Sequence, residues 1–216
     1  HAYYPKSFKA GTKIDLWGVA HEPGSEAAMH MTRMLHPLEN AQGVEDITAY
    51  PFPAFERADF RHQAREVEAI HAQGLAAVGF MQCTIWETSW YLRGMENLMM
   101  DMMSDDPMAE ALLDRVTELA IIRAKAFAYA GADIISLGDD IGMQRSIMMS
   151  QELYRTWLKP RLKRVVDAIR AIRPDTLVFY HSCGYITPLI GDLVDAGIDV
   201  LNPLQSECME FEEIHA

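Results

Sequence analysis

The chain has 216 residues, 50% of them hydrophobic and 23% charged, with a net charge of −12. This composition suits a globular domain with one sizeable core, and so acidic a balance excludes nonspecific binding to nucleic acid or to an anionic membrane, because both need a basic surface. The cysteines Cys83, Cys183 and Cys208 are too few and too dispersed for a disulfide framework, and no apolar run reaches the roughly 18 residues of a spanning helix.

No basic start followed by an apolar stretch opens the chain, so no signal peptide is predicted and the expected location is cytoplasmic. The sequence begins at His1 and stops in "FEEIHA", which reads as the opening of a helix. The expectation is one domain over residues 1–216, truncated at both ends.

The segment up to about Pro53 reads as loop-rich, with "KIDLWGVA" as a strand and with Pro and Gly punctuation instead of helical period in "HPLENAQGVEDITAYPFPAF". From Asp59 the pattern becomes helical, with Phe60, Ala64, Val67 and Ile70 on one face, Asp59 as N-cap and Gly74 as the stop. "LAAVGFMQ" then reads as a buried strand and "ETSWYLRGMENLMMDMM" as a helix. Its methionines at helical spacing are read as core packing, and Arg93 as a surface ion pair, with a ligand carboxylate as the alternative partner.

Pro107 suits the first turn of a long amphipathic helix from about Met108 to Tyr129, ended by Gly131. "DIISLG" is a strand. "SQELYRTWLKPRLKRVVDAIRAI" is a helix capped by Ser150 and interrupted near Pro160. "TLVFYH" is a strand, "TPLIGDLVDAG" a helix and "DVLNPLQ" a further strand. Short apolar strands alternating with helices imply parallel βαβ units. Neither a Gly-x-Gly-x-x-Gly turn nor a Walker loop is present. The predicted fold is therefore α/β, a (β/α)₈ TIM-type barrel present as an incomplete fragment, with its chemistry at the C-terminal ends of the strands.

Those ends supply the candidates. Gln82 and Thr84, after the first helix-flanked strand, are candidate substrate-binding groups. Asp139 and Asp140, after "IISLG", are candidate catalytic carboxylates, and if the strand persists only one of them faces the barrel mouth. His181 and Cys183 stand two apart at the end of "TLVFYH", and residues i and i+2 of an extended backbone project to one side. Imidazole nitrogen and thiolate sulfur are both zinc ligands, and Gly184 permits a sharp exit. A catalytic zinc usually takes three protein ligands, and Cys208, beyond the next strand, is a candidate third; a core cysteine beside an incidental histidine is the alternative reading.

In the order "DLWGV", "HPLENAQGVEDITAYPFP", "AAVGFMQCTIWE", "AGADIISLGDDIG", "ELYRTWLKPRLKRVVDAIR" and "FYHSCGYITPLIGDLVDAGIDVLNP", the chain resembles the uroporphyrinogen decarboxylase superfamily over nearly its whole length. The resemblance implies a (β/α)₈ barrel and one of two chemistries. One is cofactor-free removal of acetate carboxyls from a porphyrinogen in porphyrin biosynthesis. The other is zinc-dependent methyl transfer between a corrinoid (cobalamin) protein and a thiol acceptor. "HSCG" matches the His-x-Cys zinc motif of the methyltransferase branch at His181 and Cys183, whose further family cysteine would fall beyond residue 216, with Cys208 as a substitute candidate. Asp139 matches an aspartate frequent at its strand end, and Asp140 is less general. The implied activity is methyl transfer with zinc and cobalamin supplied by a partner corrinoid protein. The alternatives are the decarboxylase and a non-catalytic tetrapyrrole- or corrinoid-binding module, and a homo-oligomer is possible under any of them.

Overall fold

The structure, a computed structural model, describes residues 3–4, 7–25, 32–210 and 214. Apart from Ile214, the helix expected to open at 211–216 lies outside these residues. The elements in chain order are β1 (Lys13–Ile14), β2 (Ala20–Pro23), β3 (Thr32–Leu35), α1 (Val44–Ala49), α2 (Arg61–His71), β4 (Val78–Phe80), α3 (Trp86–Arg93), α4 (Met95–Met103) and α5 (Pro107–Ala130). Then follow β5 (Ile134–Gly138), α6 (Gln151–Trp157), α7 (Lys159–Arg170), β6 (Leu177–His181), α8 (Ile190–Ala196) and β7 (Val200–Asn202). They group into two compact units, residues 1–53 with 88–112 and residues 54–87 with 113–216.

In the first unit β1, β2 and β3 form an antiparallel sheet in that order, where the sequence predicts one strand among loops. Gly18 takes a left-handed φ of +86° and turns "KIDLWGVA" back on itself, so the expected strand becomes two. Helix α1 is too short to show a period, and its acidic first turn, Glu45 and Asp46, is its only sequence signal. Arg93 is buried, not a surface ion pair. Its Nε donates to Asp101 Oδ2 at 2.8 Å, and its Nη1 serves the carbonyls of Leu38, Glu39 and Ala41. The methionine-rich stretch splits at Gly94, φ +88°, into α3 and α4. Within it Met102 is buried, whereas Met100 and Met103 are exposed and pack no core.

The second unit carries the strands read as barrel strands. β4, β5, β6 and β7 form one parallel sheet in sequence order, and each of β4, β5 and β6 leads into a helix. Sequential parallel strands alternating with helices are the repeat of a (β/α)₈ barrel, and these four are half its strand complement. Ser150 caps α6 as predicted, its Oγ accepting the N–H of Leu153 at 3.1 Å. The helix breaks at Leu158, where Pro160 enters the first turn of α7. Asp59 does not cap α2. Its carboxylate pairs with the Arg61 guanidinium and accepts the Arg61 N–H, and the helix starts from Phe60 without a side-chain cap.

The register divides the sheet into two faces. Gly79, Ile135, Leu137, Val178 and Tyr180 are buried on the helix side, where a Cβ at position 79 would collide with the Phe127 ring of α5. Burial of Leu162, Val165, Val166 and Ile169 along one stripe of α7 contributes about 1.5–3 kcal/mol for each side chain. Opposite, Val78, Phe80, Leu177 and Val200 are exposed, Phe80 at 63%. In a closed barrel this face lines the interior, and its register row Gly138, His181 and Asn202 lies at the C-terminal ends of the strands.

Candidate metal centre

Parallel pairing puts Gly138 opposite His181 and His181 opposite Asn202. Glycine is required at the first position, since a Cβ there would stand 2.8 Å from the Cβ of His181. The Asn202 Oδ1 lies 3.0 Å from His181 Nδ1. An amide oxygen only accepts, so Nδ1 carries the proton and Nε2 presents its lone pair. Cys183 Sγ is 3.4 Å from that Nε2. Zinc bonds of about 2.0 Å to nitrogen and 2.3 Å to sulfur at a tetrahedral angle span about 3.5 Å, so the pair is already near the separation an ion needs.

The exit from β6 is held in place by backbone as well. Gly184 has φ +87°, and a Cβ on it would stand 2.7 Å from the carbonyl oxygen of Met143. Ser182 Oγ accepts the N–H of Ile141, and Met143 bridges to Tyr185, so the loops after β5 and β6 are tied together. Gln205 Oε1 accepts the N–H of Gly184.

The two adjacent aspartates have separate fates. Asp140 Oδ1 accepts the N–H of Cys183 at 2.7 Å and lies 3.9 Å from His181 Nε2. With His181 and Cys183 it forms a cluster whose ligand atoms all fall within 4.8 Å of one another. Asp139 turns away from this cluster and is buried. It accepts the N–H groups of Ile85 at 3.1 Å, of Glu87 at 2.9 Å and of Trp86, at the start of α3. Three amide donors at the start of α3 hold that carboxylate, so of the two candidate carboxylates Asp139 lies away from the cluster. Burial, with the Glu87 charge beside it, pushes its pKa up to about 8 against those donors.

Thr84 is likewise spent on the scaffold. Its hydroxyl donates to the Met81 carbonyl at 3.1 Å and accepts the Gly138 N–H at 2.9 Å. Gln82 stands half-buried in the same loop between β4 and α3. Cys208 stands outside the three-residue cluster, because β7 ends at Asn202 and the cysteine belongs to a turn beyond it, its Sγ 3.8 Å from Gln144 Oε1. Sequence reasoning missed Asn202 and Glu87. The first is identified only by strand register, and the second by its Oε2, which accepts the Asp140 N–H at 3.1 Å.

The centre is acidic. Desolvation, then the carboxylates of Asp140 and Glu87, raise the pKa of the Cys183 thiol. A divalent cation reverses that balance, because a coordinating thiol is deprotonated outright. The N, S and O donors present therefore fit zinc.

The uroporphyrinogen decarboxylase (URO-D) family profile matches residues 10–210. Two curated relatives are both methylcobamide:CoM methyltransferase MtaA, from Methanosarcina barkeri and from its strain Fusaro, at 30% and 29% identity over 93 residues. Each match covers 43% of this chain and 25% of the relative, so the chain spans about a quarter of the length of the curated proteins it matches. A solved methyltransferase from Methanosarcina mazei superposes with a TM-score of 0.63 at 22% identity, over 87% of this chain and 53% of that one. This likeness establishes a shared fold. With the family profile spanning residues 10–210, most of its length, the chain belongs to the uroporphyrinogen decarboxylase family.

Proposed function

We propose that this barrel carries out methyl transfer between a corrinoid held by a partner protein and a thiol acceptor, with zinc at His181 and Cys183. The supporting observation is the His181 Nε2 to Cys183 Sγ separation of 3.4 Å, with Nδ1 secured by Asn202. Zinc bound there would hold an acceptor thiol as thiolate at neutral pH, where a free thiol of pKa about 8.5 is mostly protonated. His181 and Cys183 grip the ion from one strand end, Asn202 orients the imidazole, and Gly138 leaves it room. The similarity to methylcobamide:CoM methyltransferases supports a corrinoid methyl donor.

The test is zinc content and methyl transfer from a methylcorrinoid to a thiol in the intact protein. About one zinc per chain is expected, with both metal and transfer lost in His181→Ala and in Cys183→Ser. A metal-free His181→Ala protein that transfers at the normal rate would remove the proposal. Chelator-insensitive release of carbon dioxide from a porphyrinogen would establish the decarboxylase instead, and corrinoid or tetrapyrrole binding without turnover would establish a binding module.

A further inference from the structure

We propose that Gln205 is a positioning residue of this centre, acting through the backbone at Gly184 to fix where the Cys183 thiol stands relative to His181. The inference rests on the zinc reading above and names what holds the sulfur in place. Beyond the end of β6 three successive amides each find an acceptor on another segment. The Ser182 N–H donates to the Asn202 carbonyl at 2.9 Å, the Cys183 N–H to Asp140 Oδ1 at 2.7 Å, and the Gly184 N–H to Gln205 Oε1.

The two residues of the pair are held differently. His181 lies within the sheet, paired with Gly138 on one side and Asn202 on the other. Cys183 lies past the last residue of β6, and the residue after it is a glycine, the type with the most backbone freedom. No stiffer residue fits there, since Gly184 holds φ +87° and packs against the carbonyl oxygen of Met143. The hydrogen bond to Gln205 therefore restrains a segment that the glycine itself leaves loose. Gln205 is anchored in turn. Its own carbonyl accepts the N–H groups of Cys208 at 2.9 Å and of Met209 at 2.8 Å, and Met209 is buried. Of the carboxamide only the oxygen accepts, so the bond from Gly184 also fixes which way that group is turned.

Zinc affinity by chelator competition, with the absorption spectrum of the cobalt(II)-substituted form, tests this on the intact protein. Gln205→Leu should weaken zinc roughly tenfold, the lower end of what an outer partner of a metal ligand is worth. Its cobalt–thiolate charge-transfer band should lose intensity, because that band reports the overlap of sulfur with metal. A residue that merely supports the fold would leave the band of the folded protein unmoved. Gln205→Glu, which keeps an acceptor oxygen on the same stem, should restore both affinity and band. Unchanged affinity or an unchanged band in Gln205→Leu, or a loss that Gln205→Glu does not restore, would overturn the proposal and leave the zinc reading intact. Absence of bound zinc in the unaltered protein would remove both.

Discussion

Asn202→Leu removes the acceptor behind the imidazole while keeping the branched shape of the side chain. In the structure His181 Nδ1 and Asn202 Oδ1 are 3.0 Å apart across paired strands, and this contact selects the tautomer that leaves Nε2 free. Without it the ring can rotate, and its proton can move to Nε2, where it blocks a metal. A hydrogen bond of this kind contributes about 0.5–1.5 kcal/mol on its own. Loss of an outer partner of a metal-bound histidine typically costs about 10- to 100-fold in affinity, or about 1.4–2.7 kcal/mol. The expected result is therefore zinc bound about 10- to 100-fold more weakly, read by competition with a chromogenic chelator at fixed pH. Asn202 is exposed, so the melting temperature of the metal-free protein should barely move. Asn202→Asp, which keeps an acceptor oxygen, should retain affinity. Unchanged zinc binding in Asn202→Leu, or weakening matched by equal destabilisation of the metal-free fold, would refute the reasoning.

Gly138→Ala places a methyl group 2.8 Å from the Cβ of His181. It should destabilise the second unit by about 1–3 kcal/mol in denaturant unfolding and weaken zinc as well, by displacing the ring. Ser150→Ala deletes the bond from the Leu153 N–H and should cost about 1 kcal/mol with metal binding untouched, measured by the same unfolding and chelator titrations. Asp192 supplies a pH dependence: burial opposes its ionisation, but hydrogen bonds from Arg155 and Lys159 outweigh this and hold its carboxyl below the ordinary value. A depressed carboxyl adds stability that is fully present above its unfolded-state pKa of about 3.9 and is lost as pH falls through the folded value. Asp192→Asn should therefore show a shallower acid limb in a stability-versus-pH series, and an identical limb would contradict the pairing.

Legibility differed between local and nonlocal features. The Ser150 cap, the break near Pro160, the stop at Gly131 and the apolar strands were readable because each depends on a few neighbouring residues and on the backbone they dictate. The antiparallel sheet of the first unit was not, since a two-residue strand such as β1 has no period to detect. At the candidate centre, His-x-Cys spacing was enough to single out His181 and Cys183, because alternation along one strand puts them on one side. The same rule indicated that only one of Asp139 and Asp140 would face the mouth, without saying which.

Strand and helix order in the second unit, the parallel α/β class and the pairing of imidazole with thiol are thus properties of the sequence itself, set by local periodicity and backbone chemistry. Tertiary structure alone decided that Asp140 joins the cluster while Asp139 is consumed by the start of α3, that Asn202 stands behind His181, and that Cys208 lies apart. Those outcomes depend on inter-strand register and on which loop crosses which strand end. Such contacts join residues 21 to 54 positions apart, and no short-range pattern encodes them.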